Sequence, residues 1–172
     1  MHRFLVQERM ALKRRNTDNL SVLLDRARHY CSLTEQCEDA VRQKLVTWGA
    51  TPTESDQVTA TLYNEGYIDD IRYAKAYCES KILHQHWGRQ KVLYQLRLKH
   101  LPRRAVDAGM AAVSDDDYRA TLATVAEKKR QELSSRIDDP LLLRKKLMAF
   151  LASRGFTVDE IKQVITNNNE EL

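Results

Sequence analysis

Gly66-Tyr67-Ile68-Asp69-Asp70-Ile71-Arg72-Tyr73-Ala74 closes one helix and opens another within nine residues. Gly66 can take the left-handed backbone that ends a helix. Asp69 stands where a side-chain oxygen would accept from the unpaired amides of the next helix. Asp70 adds negative charge at the positive end of that helix's dipole. Ile68, before the cap, and Tyr73, inside the first turn, have the spacing of a hydrophobic staple. Tyr73, Ala74, Tyr77 and Cys78 then continue along one helical face. Such a joint is by itself only structural. Its weight comes from the pattern it starts, which is copied on either side.

Before the joint, Leu20, Leu23, Leu24, Ala27 and Cys31 form one apolar helical stripe. Thr34 is expected to cap a second helix with Cys37, Val41, Leu45 and Trp48 inward and Gly49 at its end. Thr53 is expected to open a third, with Val58 and Leu62 inward and Gly66 closing it.

After the joint, a helix is expected from about Asp70 to His84, and Gly88 opens the next, with Val92, Leu93 and Leu96 inward. Pro102 suits the first turn of a third, where its missing N–H would be unpaired anyway. Val106, Met110 and Val113 form its stripe. Gly109 interrupts that stripe at a cost of about 1 kcal/mol relative to alanine, which a close helix–helix approach would justify.

A last trio follows. Asp115, Asp116 and Asp117 suit a helix start, and Lys128, Lys129 and Arg130 its far end. Tyr118, Leu122 and Val125 face in. Asp139 caps a helix with Pro140 at its first position, Leu143, Leu147, Phe150 and Leu151 inward, and Gly155 at its end. Thr157-Val158-Asp159-Glu160 is a capping box, stapled by Phe156 and Ile161. Ile161, Val164 and Ile165 face in.

Leu45, Leu96 and Leu151 occupy matching places near the end of each middle helix, and Gly49, His100 and Gly155 follow at the same offset. His100 is the weakest point of the match, because histidine only tolerates a left-handed backbone. A three-helix unit buries a small core, and stacked neighbours cover one another's faces. The expected fold is all-α: a basic arm over residues 1–17, then three-helix repeats over 18–67, 68–113 and 114–172, in an elongated, curved array.

Composition agrees. The chain has 42% hydrophobic and 30% charged residues with only five glycines and three prolines, which favours long helices over a turn-rich β fold. Cys31, Cys37 and Cys78 are an odd set without CxxC spacing, so buried reduced thiols are expected, not a disulfide framework or zinc site. No apolar run approaches the roughly 20 residues of a membrane span, and no signal peptide is legible, so a cytoplasmic protein is expected.

No Walker A, GxGxxG, HExxH or GxSxG pattern is present, so neither catalytic residues nor a cofactor is expected. His84-Gln85-His86 lacks a third metal ligand and reads as a solvated turn. What remains is charge, net +4 with a pI near 9.0. Arg3, Arg9, Lys13, Arg14 and Arg15 face Glu8 alone in the arm. Arg89, Lys91, Arg97, Lys99, Arg103 and Arg104, with His100, run without an acid among them; Arg144, Lys145, Lys146 and Arg154 form a second group. The acids lie elsewhere. Solvation of helix faces would account for such charge, and so would a polyanionic or mixed-charge partner.

At these residues the chain resembles the RecX family of bacterial regulatory proteins. The carriers are Gly66, Tyr67, Asp69, Asp70 and Tyr73 in the joint, Trp87-Gly88-Arg89, Leu96 with Leu101-Pro102, Arg154-Gly155-Phe156 and Asp159-Glu160-Ile161. The likeness covers roughly residues 20 to 167 and leaves the arm outside. It implies tandem three-helix repeats that are not enzymes. It further implies binding in the groove of the RecA recombinase filament on DNA and suppression of its ATPase, strand-exchange and coprotease functions, as part of recombination and DNA-damage control. A monomer without membrane contact is expected. Arg89, Lys91, Arg97, Lys99, Arg103 and Arg104 are the expected contacts, supported by Lys145, Lys146 and Arg154. The rival is a module that binds DNA directly and without sequence preference through its short, tightly joined helices. No helix carries the side chains expected to read bases.

Overall fold

Local capping side chains set four of the helix starts in the computed structural model, which describes residues 19–167. The basic arm lies outside them. All regular structure among the described residues is helical: α1 over 19–33, α2 (Glu38–Thr47), α3 (Pro52–Asn64), α4 (Asp70–Glu79) running on into a π turn (Ser80–His84), α5 (Arg89–Leu98), α6 (Arg103–Ala111), α7 (Asp115–Ser134), α8 (Pro140–Ser153) and α9 (Val158–Asn167). The chain divides into two units, the first ending at Asp70 and the second starting at Ile71.

The first unit has its own core of Leu23, Ala27, Val41, Leu45, Val58, Leu62 and Ile68. Two expected caps are corrected here. Thr34 does not cap α2, which begins four residues later; its hydroxyl accepts from Gln36 Nε2 at 2.6 Å. The residue in the cap position is Cys37, whose side chain makes no cap bond. The orphan amide of Glu38 donates instead to Asp70 Oδ1 at 3.2 Å, and Tyr63 donates its hydroxyl to Asp70 Oδ2 at 2.9 Å. Asp70→Ala is therefore expected to destabilise the first unit by about 1 kcal/mol, the usual loss when a capping carboxylate goes. Urea unfolding reads it, and an unchanged midpoint would remove this role.

The second correction is at α3, which opens at Pro52 with Thr51, not Thr53, as its cap. Thr51 Oγ1 accepts from the Glu54 amide at 3.3 Å, while the Thr51 amide donates to Glu54 Oε2 at 2.8 Å. That bond, with another from the Asn19 side chain, holds the Glu54 carboxyl below its ordinary value.

In the second unit, α4–α9 share one continuous core running from Cys78, Ile82, Val92 and Leu96 to Leu122, Leu147, Leu151, Phe156 and Ile161. Pro102 sits one residue ahead of α6, in the cap position. Helix α7 is capped by Ser114, which accepts from the Asp117 amide at 3.0 Å. It runs to Ser134, so Lys128, Lys129 and Arg130 fall inside it and not at its end; Lys129 pairs with Glu132 at 2.9 Å and Arg130 with Glu127 at 2.8 Å. Asp139 accepts from the amides of Leu141 and Leu142 as expected, at 2.9 and 3.4 Å. The Thr157–Glu160 box closes with bonds of 2.7 and 3.2 Å.

The repeated turn is real at the backbone. Gly49, His100 and Gly155 have φ of 83°, 52° and 91°, and the leucines four residues before them are fully buried. His100 thus takes the left-handed conformation in spite of its side chain.

Gly109 also has its explanation. A Cβ built on it would lie 2.8 Å from the Ala74 carbonyl oxygen and 2.9 Å from Ala74 Cβ, so α6 and α4 touch backbone to backbone. Alanine in place of a helical glycine normally gains about 1 kcal/mol. Gly109→Ala should reverse that sign and lose about 1–3 kcal/mol, the cost of forcing atoms into a packed contact. Thermal melting tests it; a stabilised variant would show that the two helices separate freely.

Candidate partner-binding surface

Trp87-Gly88-Arg89 and Arg154-Gly155-Phe156 meet along their backbones. The Gly88 amide donates to the Arg154 carbonyl at 2.8 Å and the Gln90 amide to the Gly155 carbonyl at 3.2 Å. A Cβ on Gly88 would fall 2.1 Å from the Gly155 carbonyl carbon, and one on Gly155 2.4 Å from Lys91 Cβ. Two glycines are required because two segments of the chain approach too closely for side chains. Arg154 reinforces the joint by donating from Nη1 to the Gln85 carbonyl at 3.2 Å.

Arg89, expected as a partner contact, is committed within this joint. Its guanidinium pairs with Asp115 at 2.8 Å, donates to the Val113 carbonyl at 3.3 Å and lies 4.3 Å from the centre of the Tyr118 ring. The bond from Arg89 holds the Asp115 carboxyl below the usual carboxylate range. The Arg89 amide donates to the Tyr118 oxygen at 3.1 Å, and that hydroxyl donates to Glu160 at 3.2 Å. Burial pushes the Tyr118 hydroxyl up to about 12, so it keeps its proton and can donate at neutral pH.

Several other cations of the second unit meet aromatic rings. Tyr73 and Tyr77 stack with ring centres 5.8 Å apart, and Lys99 Nζ lies 5.6 Å from each. Lys81 Nζ is 5.4 Å from Tyr77 and 4.9 Å from Trp87; Lys91 Nζ reaches Trp87 from its own helix at 4.3 Å. Across the glycine joint, Arg154 and Lys129 lie 5.2 and 5.0 Å from the Phe150 ring. Each such pair contributes about 0.5–1 kcal/mol where exposed. Their joint effect is to hold ammonium groups along a strip of rings rather than leave them loose in solvent.

Lys81 and Lys129 and the aromatic partners were not among the expected contacts. Helical spacing carries part of this signal, since Tyr73, Tyr77 and Lys81 fall four residues apart on one face. Arg97, Arg104, Lys145 and Lys146 are exposed, as is Arg103, which makes a long pair with Asp107 at 3.6 Å. No ring among the described residues lies within cation–π reach of these five. The structure therefore gathers Lys91, Lys99 and Arg154 and leaves the others apart.

The described residues contain no group of three potential metal ligands and no helix long and apolar enough to cross a membrane. All three cysteines are free thiols, and burial pushes Cys31 and Cys78 up to about 11, which keeps them protonated.

Three-helix groups sharing a core, joined through glycine-tight turns and carrying a basic–aromatic strip, define a helical-repeat protein. Profiles of two RecX domains match it: the second three-helix domain over residues 69–110 and the third over residues 115–165, together more than half of the chain. The chain belongs to the RecX family of regulatory proteins. It is 28% identical over 158 residues to the regulatory protein RecX of Clostridium acetobutylicum, covering 88% of this chain and 73% of that one. The regulatory protein RecX of Cronobacter sakazakii is 27% identical over 157 residues, covering 86% of this chain and 92% of that one. The chain spans only 58% of the length of the Clostridium tetani relative, at 28% identity. A crystal structure of RecX from Lactobacillus salivarius superimposes with a TM-score of 0.77 at 20% identity, covering 88% of this chain and 97% of that one. A second crystal structure, of a regulatory protein RecX, gives 0.80 at 17% identity, covering 92% and 77%. These two likenesses establish the fold.

Proposed function

We propose that the protein is a cytoplasmic, monomeric regulator, without cofactor or catalytic activity, that binds the RecA recombinase filament on DNA and inhibits its ATPase, strand-exchange and coprotease activities. The observation that carries this reading is the cation–aromatic strip of the second unit, in a chain of a regulatory family. Lys81, Lys91 and Lys99 supply its binding charge, Arg154 and Lys129 extend it, and Arg97, Arg103, Arg104, Lys145 and Lys146 add diffuse attraction. Arg89 acts indirectly by holding the joint. Single exposed ion contacts contribute about 0.2–1 kcal/mol, so affinity comes from several acting together.

A direct single-strand reading has one observation in its favour. Rings beside lysines are what a strand without sequence preference uses, with bases stacking and phosphates paired. Co-sedimentation with recombinase filaments, compared with a gel shift on bare DNA across a salt series, separates the two. Tight retention on the filament with weak binding to bare DNA is the expected result. Equal affinity for both, with a slope of about −0.7 in log K per phosphate neutralised, would replace the recombinase with DNA itself.

A further inference from the structure

Where α7 turns into α8, the second unit has a groove of about 640 Å³ floored by Ile137, Leu141, Leu143, Leu147 and Ile165. That volume is in the range of sites that enclose a bulky group. Leu141 is 62% exposed at its rim and Leu142, beside it, 43%, although the first turn of a capped helix needs no leucine. The charge around it is mostly positive, although Asp138 also lines the groove and Arg130 in the lining is paired with Glu127. Arg136, Arg144, Lys145 and Lys146 are exposed, and no carboxylate among the described residues lies within 4.0 Å of Arg144, Lys145 or Lys146. Asp139 is committed to the amides of α8. The positive end of that helix points the same way in charge.

We propose that this groove docks a short acidic segment of a partner protein that carries one bulky apolar side chain. The apolar side chain fills the space between Leu141, Leu147 and Ile165. Acidic residues beside it meet Arg144 and Lys145, which project from α8 one turn beyond the leucine. Nucleic acid suits the site poorly, because the groove has no aromatic ring on which a base could stack. The site is separate from the cation–aromatic strip and does not depend on which protein the regulator binds.

Fluorescence anisotropy on the full chain tests this with a labelled ten-residue peptide of Glu and Asp around a central Leu-Phe pair. Saturable binding is expected, weakened about tenfold or more, equivalent to 1.4 kcal/mol, by Leu141→Asp and by Arg144→Glu. Both positions are exposed, and circular dichroism checks that the variants fold. Lys91→Glu should leave the affinity unchanged. A peptide with Ser-Ser in place of Leu-Phe should not bind. Absence of saturable binding, equal binding of the Ser-Ser peptide, insensitivity to Leu141→Asp, or displacement of the peptide by an equal concentration of oligothymidylate would each overturn the assignment.

Discussion

Gly88→Ala is expected to lower the stability of the second unit by about 3 kcal/mol or more, the upper end of what overpacking costs. The added methyl would sit 2.1 Å from the Gly155 carbonyl carbon and oxygen and 2.3 Å from the Phe156 amide, all main-chain atoms that no rotamer change can clear. The chains must part, and the Gly88–Arg154 and Gln90–Gly155 hydrogen bonds open with them. Their loss adds about 1 kcal/mol each. Thermal melting of the unit should then shift by about 20 °C. Gly49→Ala is the matched control. A Cβ there meets nothing within 4 Å, so only the left-handed conformation is penalised, by about 1 kcal/mol. If the two variants melt together, close approach is not what glycine supplies at position 88.

The joint matters because it fixes where the charges stand. Lys91 starts one turn after Gly88, its Cβ packs against Gly155, and its ammonium group rests on Trp87. Loosening the joint therefore disturbs Lys91, Arg154 and Trp87 together. A Gly88 variant that still folds at low temperature should bind the partner less well even though no charge has changed.

Where both halves of a cap lie a few residues apart, as in Thr157 with Glu160 or Asp139 with Pro140, the helix start was legible from the sequence. At Thr34 the hydroxyl suggests a start that lies four residues too early, and the first amide of α2, at Glu38, is served by Asp70, 32 residues along the chain. Thr51 and Thr53 offer the same hydroxyl, and only Thr51 has a glutamate three residues on. Lys128 to Arg130 read as a helix end because, along the sequence, charge at a terminus looks the same as charge paired within a helix, as Lys129 and Arg130 are with Glu132 and Glu127. The three-helix pattern is legible nonetheless, since Leu45, Leu96 and Leu151 and the left-handed residues after them recur.

The candidate site was legible as charge and illegible as geometry. Arg89 belonged to an acid-free run, yet Asp115 and Tyr118 from α7 hold its half-buried side chain against the molecule. Lys81 stood outside that run, yet it lies between Tyr77 and Trp87 at the centre of the strip. Which cations share a surface is decided by tertiary packing. The sequence carries that only where partners are one helical turn apart.

If the strip is the binding surface, reversing its charges should abolish most of the binding. Glutamate at Lys81, Lys91 and Lys99 removes three positive charges and adds three negative ones, beside rings of which Tyr77 and Trp87 also pack on the core. If each reversal costs about 1 kcal/mol of binding, the three together weaken inhibition by roughly a hundredfold. The most direct measurement is the concentration of protein that halves DNA-dependent ATP hydrolysis by the recombinase, for parent and triple variant, with folding checked by circular dichroism. The triple variant, folded, should need at least about tenfold more protein, each tenfold being 1.4 kcal/mol. A folded triple variant that inhibits as well as the parent would contradict the strip's role as the binding surface.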